Sequence, residues 1–186
     1  DACFRLFDAI CVRHGLEKIK TIGDAYMCAG GLPRPQEGSA RHTVRAALEM
    51  QGALERRASE RVAAGLPGFR MRVGIHSGTV VAGIVGDTKF QYDVWGDAVN
   101  IAARMETAGE EGRVNISAAT YALVVGYIAG LYKLSREPFY KIIDAKFKNK
   151  GSVAAQNRKA FDAGYDLGSG TFKLDDVQFG APGEMF

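Results

Sequence analysis

The chain has 186 residues, 47% hydrophobic and 24% charged, with a formal net charge of +3 at pH 7. That is material for one globular core, with neither the bias of a disordered chain nor that of collagen, and its mild basic excess suits an anionic ligand without demanding nucleic acid. The longest nearly apolar run, Ala122 to Tyr132, falls short of the ~20 residues a bilayer requires, and Cys3, Cys11 and Cys28 have neither the number nor the spacing of a disulfide framework or zinc site. No secretory signal is read, so a reducing, cytoplasmic setting is the expectation.

Phe4, Phe7, Ile10, Cys11 and His14 recur at three- and four-residue spacing, which predicts a helix over Ala2 to His14. The chain thus opens inside an element, and an upstream segment is expected. Leu16 to Ile22 reads as a half-buried strand with Ile19 opposite Lys18 and Lys20, and Gly23-Asp24 as the hairpin turn into Ala25 to Ala29. Gly30 to Gly38 is loop. Ser39 is expected to cap a long helix with Val44, Ala47, Leu48, Gln51 and Leu54 inside, stopped by Gly65 and Pro67-Gly68.

Strands are expected at Phe69 to His76 and Thr79 to Val85, joined tightly at Ser77-Gly78, and again at Phe90 to Trp95. A helix from Ala98 to about Ala108, a strand at Arg113 to Ile116 and a Ser117-capped helix reaching about Val125 follow. Farther on, Tyr140 to Lys150 reads as a strand with a basic end and Ala154 to Ala163 as a helix. Leu174 to Val177 is partly strand-like, in a tail without clear period and without an internal repeat. Hairpins mixed with helices predict an α+β fold with a largely antiparallel sheet.

Three segments concentrate the chemistry: EKIKTIGDAYM at 17–27, RVGIHSGTVVAGIVG at 72–86 and YDVWGDAVNIAARM at 92–105. Asp24 stands at a hairpin apex, where an exposed carboxylate can reach a hard cation; taken alone it is an ordinary turn residue. Asn100 and Arg104, four apart, share a helix face, and a guanidinium there grips phosphate oxygens in pairs; taken alone they make a solvated stripe. The glycines of the middle segment lack the Gly-Lys-Ser/Thr of a phosphate loop and read as packing and turn residues. His76 reads as a structural strand-end histidine.

In this order and spacing the segments closely resemble the class III nucleotidyl cyclase catalytic domain, the family of adenylyl and guanylyl cyclases, from about Phe4 to Val125. The resemblance implies a ferredoxin-like antiparallel sheet flanked by helices, with the first strand and helix missing. It makes 1–151 a partial cyclase domain and 152–186 an unassigned tail. By resemblance, Asp24 is one of two aspartates that hold two Mg2+ (or Mn2+) ions, Asn100 orients the ribose and Arg104 neutralises charge on the phosphates. Lys20 and Asp93 read the purine: a lysine only donates and an ionised aspartate only accepts, which matches N1 and the 6-amino group of adenine and mismatches guanine. Lys148 matches, loosely, a lysine on a lysine-glycine-rich strand that contacts the terminal phosphates; Lys150 is the alternative register and a solvated basic loop the alternative reading.

The function so implied is an adenylate cyclase, turning ATP into 3′,5′-cyclic AMP and pyrophosphate by attack of the ribose 3′-hydroxyl at a homodimer interface. Upstream regulatory or membrane domains are compatible with the parent protein, and no nucleic acid partner is expected. The alternatives are a guanylate cyclase or a catalytically silent module that dimerises or senses nucleotide. The family's other metal aspartate lies ahead of the matched region, so the chain alone is expected to be inactive or impaired. Asp162, Asp166, Asp175 and Asp176 have no spacing that makes one of them a substitute.

Overall fold

A computed structural model describes residues 2–171 of the chain; the Leu174 to Val177 run lies outside them. The first helix, α1 (Ala2–His14), turns Phe7, Ile10 and Cys11 inward, as its period predicts. It leads through Gly15, in the left-handed region, into the hairpin of β1 (Leu16–Ile22) and β2 (Ala25–Gly30). The hairpin turns at Gly23, whose φ of 61° places it in the conformation glycine favours. Ile19 is an extra, buried residue in β1, a bulge between the Lys18–Cys28 and Lys20–Met27 pairings. A bulge twists its strand and re-aims the next side chain along it, which here is Lys20.

The long helix α2 (Ser39–Ala63) covers this hairpin and α1. Its start is set by Gly38, left-handed at φ 69°, with no side-chain cap, so Ser39 is the first helical residue and not the cap. The buried stripe is Ala40, Ala46, Ala47, Met50, Ala53 and Leu54, one position off the expected face, and Leu48 is exposed. Small alanines on that stripe let α1 lie close, and Phe7, Ile10, Cys11 and Leu16 fill the space between the layers.

Three short strands follow: β3 (Val73–Ile75), β4 (Val81–Val85) and β5 (Gln91–Trp95). Contrary to expectation β3 and β4 do not form a hairpin. β4 pairs antiparallel with β5, whereas β3 pairs in parallel with β6 (Val114–Ile116) beyond the helix α3 (Asp97–Thr107). The α+β class stands, with helices on small sheets; the described strands pair as two antiparallel ribbons and one parallel pair. Gln51 joins the parts, its amide donating to the carbonyls of Met71 (2.8 Å) and Arg113 (2.9 Å) just ahead of β3 and β6.

The chain ends in helices. Ser117 caps α4 (Ala118–Leu131) as expected, accepting from the Thr120 amide, but the helix runs past Val125. The expected strand at Tyr140 to Lys150 is instead α5 (Glu137–Lys146) with a turn after it. Pro138 sits in its first turn, Glu137 and Lys146 complement its dipole, and Phe139, Tyr140 and Ile143 pack on one side against Phe161, a helical period where a strand would alternate. The last described helix is α6 (Gly151–Thr171), longer than the expected Ala154 to Ala163. No described helix is long and apolar enough to cross a membrane.

Candidate nucleotide site

Two ribbons that share no backbone pairing are tied together by one ion pair. Lys20, just past the β1 bulge, places its Nζ 2.7 Å from Oδ2 of Asp93 on β5, and both side chains are largely covered, at 27% and 15% exposure. The other Asp93 oxygen accepts from the Val94 amide at 2.8 Å. The Lys20 hydrogen bond first, and then this amide, hold the Asp93 carboxyl below its ordinary pKa. Asp93 is therefore fixed as an anion with a defined orientation, and Lys20 is matched to it. A hollow of about 380 Å3 opens beside Asp93, lined also by Val85, Lys89, Gln91 and Trp95.

Asp93 and α3 are neighbours along the chain, because Gly96 turns β5 into the helix with a φ of 130° that side-chain-bearing residues rarely adopt. Ala98 is the buried anchor of α3, and Asn100 and Arg104 are exposed on its outer side. The inner side sits on β3 at Gly74: a Cβ there would lie 2.0 Å from the Glu106 nitrogen and 2.4 Å from the Ala102 carbonyl oxygen. The Arg72–Glu106 ion pair at 2.9 Å and the bond from the Asn115 amide to the Met105 carbonyl at 2.8 Å fix the far end of the helix. Asn100 and Arg104 thus stand on a rigidly seated helix that begins just after Asp93.

Asp24 is exposed at the β1–β2 turn, four residues beyond Lys20. Among the described residues no three His, Cys, Asp or Glu side chains gather as a metal cluster. One exposed carboxylate does not build a cation cage, so the described residues do not by themselves fit the two-ion site that the resemblance implies. Magnesium bound through a single carboxylate draws its other oxygens from substrate and water.

Lys148 is not brought to these residues. It is exposed on the α5–α6 turn, beside a hollow lined only by α5, α6 and the turn between them, including Asp144, Phe147 and Arg158. The strand expected to carry it is a helix with a turn after it, so neither the Lys148 nor the Lys150 register has a strand to rest on. Asp162 and Asp166 are engaged with Arg136 inside the helical layer. His76 is structural in its contacts: Nδ1 meets the Ser117 hydroxyl at 2.7 Å, tying the end of β3 to the cap of α4.

Sequence reading finds Lys20 and Asp93 singly but not their bond, which spans 73 positions and leaves no periodic signal. It also misses Gln51 as the clamp between Met71 and Arg113, although a glutamine on an expected inner helix face is the available sign.

Residues 1–142 match the family model described as the adenylate and guanylate cyclase catalytic domain. An adenylate cyclase of Mycobacterium tuberculosis is 41% identical over 121 residues, which are 65% of this chain and 26% of that protein. The chain thus spans about a quarter of that relative. Among solved structures, the adenylyl cyclase CyaB from P. aeruginosa is similar at a TM-score of 0.63 and 28% identity, over 67% of this chain and 65% of the other. The guanylate cyclase domain of RhGC from Catenaria anguillulae, solved in complex with GTP, is similar at a TM-score of 0.59 and 35% identity, over 64% of each chain. With motifs, fold and matched span in agreement, the chain belongs to the adenylate and guanylate cyclase catalytic domain family.

Proposed function

We propose that this domain is an adenylate cyclase domain that recognises ATP with Lys20 and Asp93. The observation that carries the reading is the 2.7 Å bond between these two side chains, one able only to donate and the other only to accept. Paired in this way each satisfies the other, so neither covered charge is left alone. An adenine edge entering between them exchanges their direct bond for two: Lys20 donates to N1, and Asp93 accepts from the 6-amino group. Guanine turns an N–H toward Lys20 and a carbonyl oxygen toward Asp93, opposing like with like at both positions. Unpaired groups in a covered site are the source of strong discrimination, on the order of 10⁴-fold where the match is complete.

Asn100 orients the ribose in this reading. Arg104, whose planar guanidinium grips phosphate oxygens in pairs, opposes the charge that grows on the phosphates as the 3′-hydroxyl attacks. Asp24 would be this chain's single carboxylate to a cation, whose other oxygens would come from substrate and water and which would supply Lewis-acid assistance. Lys148 is not part of the proposed set. The site is completed between two copies, one contributing Asp24 and the other Lys20, Asp93, Asn100 and Arg104. The β4–β5 ribbon supports this: it exposes Val81, Ile84 and Val85 on one strand and Trp95 on the other, with Phe90 beside them at 78% exposure. An apolar surface of that kind suits a second copy.

The test exchanges the readers. Binding of labelled ATP and GTP with Mg2+, together with cyclic nucleotide production, is measured for the wild-type chain and for Lys20→Glu combined with Asp93→Ser. The expected result is ATP preference in the wild type and a swing toward GTP of at least about 100-fold in the variant. An ATP-to-GTP ratio unmoved by the exchange overturns the reading. Because the described residues gather no acidic cluster, a nucleotide-sensing module is the second reading. Selective ATP binding with no cyclic AMP, in this chain and in a longer one, would select it.

A further inference from the structure

Two of the three cysteines meet beneath the hairpin, and the proposed reaction uses neither. Cys11, on the inner face of α1, is 2% exposed; Cys28, on β2, is half-buried and packs against the same apolar cluster. Tyr26 and Cys28 are two positions apart on one strand, so they face the same way, toward α1. The Tyr26 hydroxyl lies 3.5 Å from the Cys11 sulfur and 2.8 Å from Asp8, and Cys28 packs against the cluster that holds Cys11. Lys18 closes the group with its own bond to Asp8 at 2.8 Å.

We propose that Cys11 and Cys28 are a redox modification site, oxidised by a small hydroperoxide to an intramolecular disulfide that joins α1 to β2. The donors around Cys11, Cys28 foremost, bring its thiol down to about 7, against the opposing effects of burial and Asp8. The same bond and burial hold the Cys28 thiol far above its ordinary value. Cys11, the sulfur that also meets the Tyr26 hydroxyl, is assigned as the attacking one and Cys28 as the resolving one. The Cys11 thiolate attacks one peroxide oxygen, the O–O bond breaks, and hydroxide leaves with the thiol proton as water, giving a sulfenic acid on Cys11. The Cys28 sulfur then attacks the Cys11 sulfur, the S–O bond breaks and a second water departs. Two thiols lose two electrons and two protons, and one hydrogen peroxide becomes two waters. The bridge encloses 11–28, which includes all of β1 with Lys20 and the Asp24 turn, so oxidation constrains the segment that carries them.

The test treats the folded chain with hydrogen peroxide, blocks the remaining thiols by alkylation and maps tryptic peptides without reduction. The inference expects peptide 6–13 linked to peptide 21–41, with Cys3 still alkylated. It expects Cys11→Ser to slow oxidation of Cys28 at least tenfold. Cys28→Ser supplies the check should that variant not fold: a sulfenic acid on Cys11 that a dimedone probe traps. Linkage through Cys3, linkage only between chains, linkage only after denaturation, or Cys28 oxidation indifferent to the loss of Cys11 would each overturn it. The readout requires no nucleotide, so it stands or falls apart from the cyclase reading.

Discussion

The two helix-packing regions of this chain reach close contact by opposite means. Between α1 and α2 the space is filled by large side chains, Phe7, Ile10, Leu16, Met50 and Leu54, set among alanines. Between α4 and α6 the helices meet on backbone. A Cβ on Gly126 or Gly130 would come within 2.1 and 2.0 Å of the Phe161 and Tyr165 carbonyl oxygens; one on Gly164 or Gly168 would come within 2.0 and 2.1 Å of those of Leu123 and Tyr127. Contact positions rise together along both helices, so the pair is parallel, and each carries two glycines four residues apart with a tyrosine after the first. That spacing lets backbones approach as they do in small-residue helix pairs of membranes, here in helices too short or too polar to span one. The first region tolerates lost volume badly, and the second tolerates added volume not at all.

The sharpest way to break this contrast is Gly130→Val. Its Cβ meets a carbonyl of a helix backbone, which cannot rotate away as a side chain would. We expect a loss of about 3 kcal/mol, or roughly 6–12 °C in Tm for a chain of this size, read by thermal unfolding. The ATP binding proposed at Lys20 and Asp93 should survive in the fraction still folded, because α4 and α6 contribute nothing to that ion pair. A variant as stable as wild type would show that the seam can open without cost. In the first region the matching change is Ile10→Ala, at a side chain with 0% exposure. It is expected to cost about 2–4 kcal/mol by cavity formation, and Ile10→Val only about 1 kcal/mol, both read from urea unfolding. Equal costs for the two would mean that the core collapses around the site and is packed less tightly than its buried residues indicate.

The same contrast explains which parts are legible in the sequence. Hydrophobic period and turn chemistry act locally, so α1, the β1–β2 hairpin and the termination of α2 near Gly65 can be read with nearly correct bounds. The α2 face is misplaced by one position because Ala46 and Met50 compete with Val44 and Leu48 on hydrophobicity, and only the partner α1 decides between them. Strand partnership is non-local: nothing near Val73 announces that its neighbour is Val114 and not the next strand. The helical end defeats the reading for a different reason. Basic residues at Lys146, Lys148 and Lys150 obscure the Phe139, Tyr140 and Ile143 face, and Gly126, Gly130, Gly164 and Gly168 weaken the helical pattern of α4 and α6 although each of the four is a contact point. Of the site, the residue types of Lys20, Asp93, Asn100 and Arg104 are legible through their motifs, whereas the bond between Lys20 and Asp93 depends on how two ribbons meet.

Where the two regions join, a smaller effect tests the connection itself. His76, at the end of β3, bonds the Ser117 hydroxyl that caps α4, and the Ser77 and Thr120 hydroxyls complete the cluster at 3.1 Å. Burial pushes the His76 pKa below its ordinary value, and among the described residues no charged group in this cluster favours an imidazolium. A histidine whose folded pKa is depressed binds its proton more weakly in the native state than in the unfolded one. Its contribution to stability is therefore present in full above the unfolded value of about 6.5 and is lost as pH falls through that value toward the folded one. Urea unfolding at pH 8, 6 and 5 should show stability declining on the acid side. His42 is shifted in the same direction, by burial and by the nearby Arg41, and adds its own slope. The His76→Asn variant separates them, since an amide can still meet Ser117 but cannot titrate. We expect its acid-side decline to be shallower than that of the wild type, and superimposable profiles would mean that protonating His76 leaves the junction between β3 and α4 undisturbed.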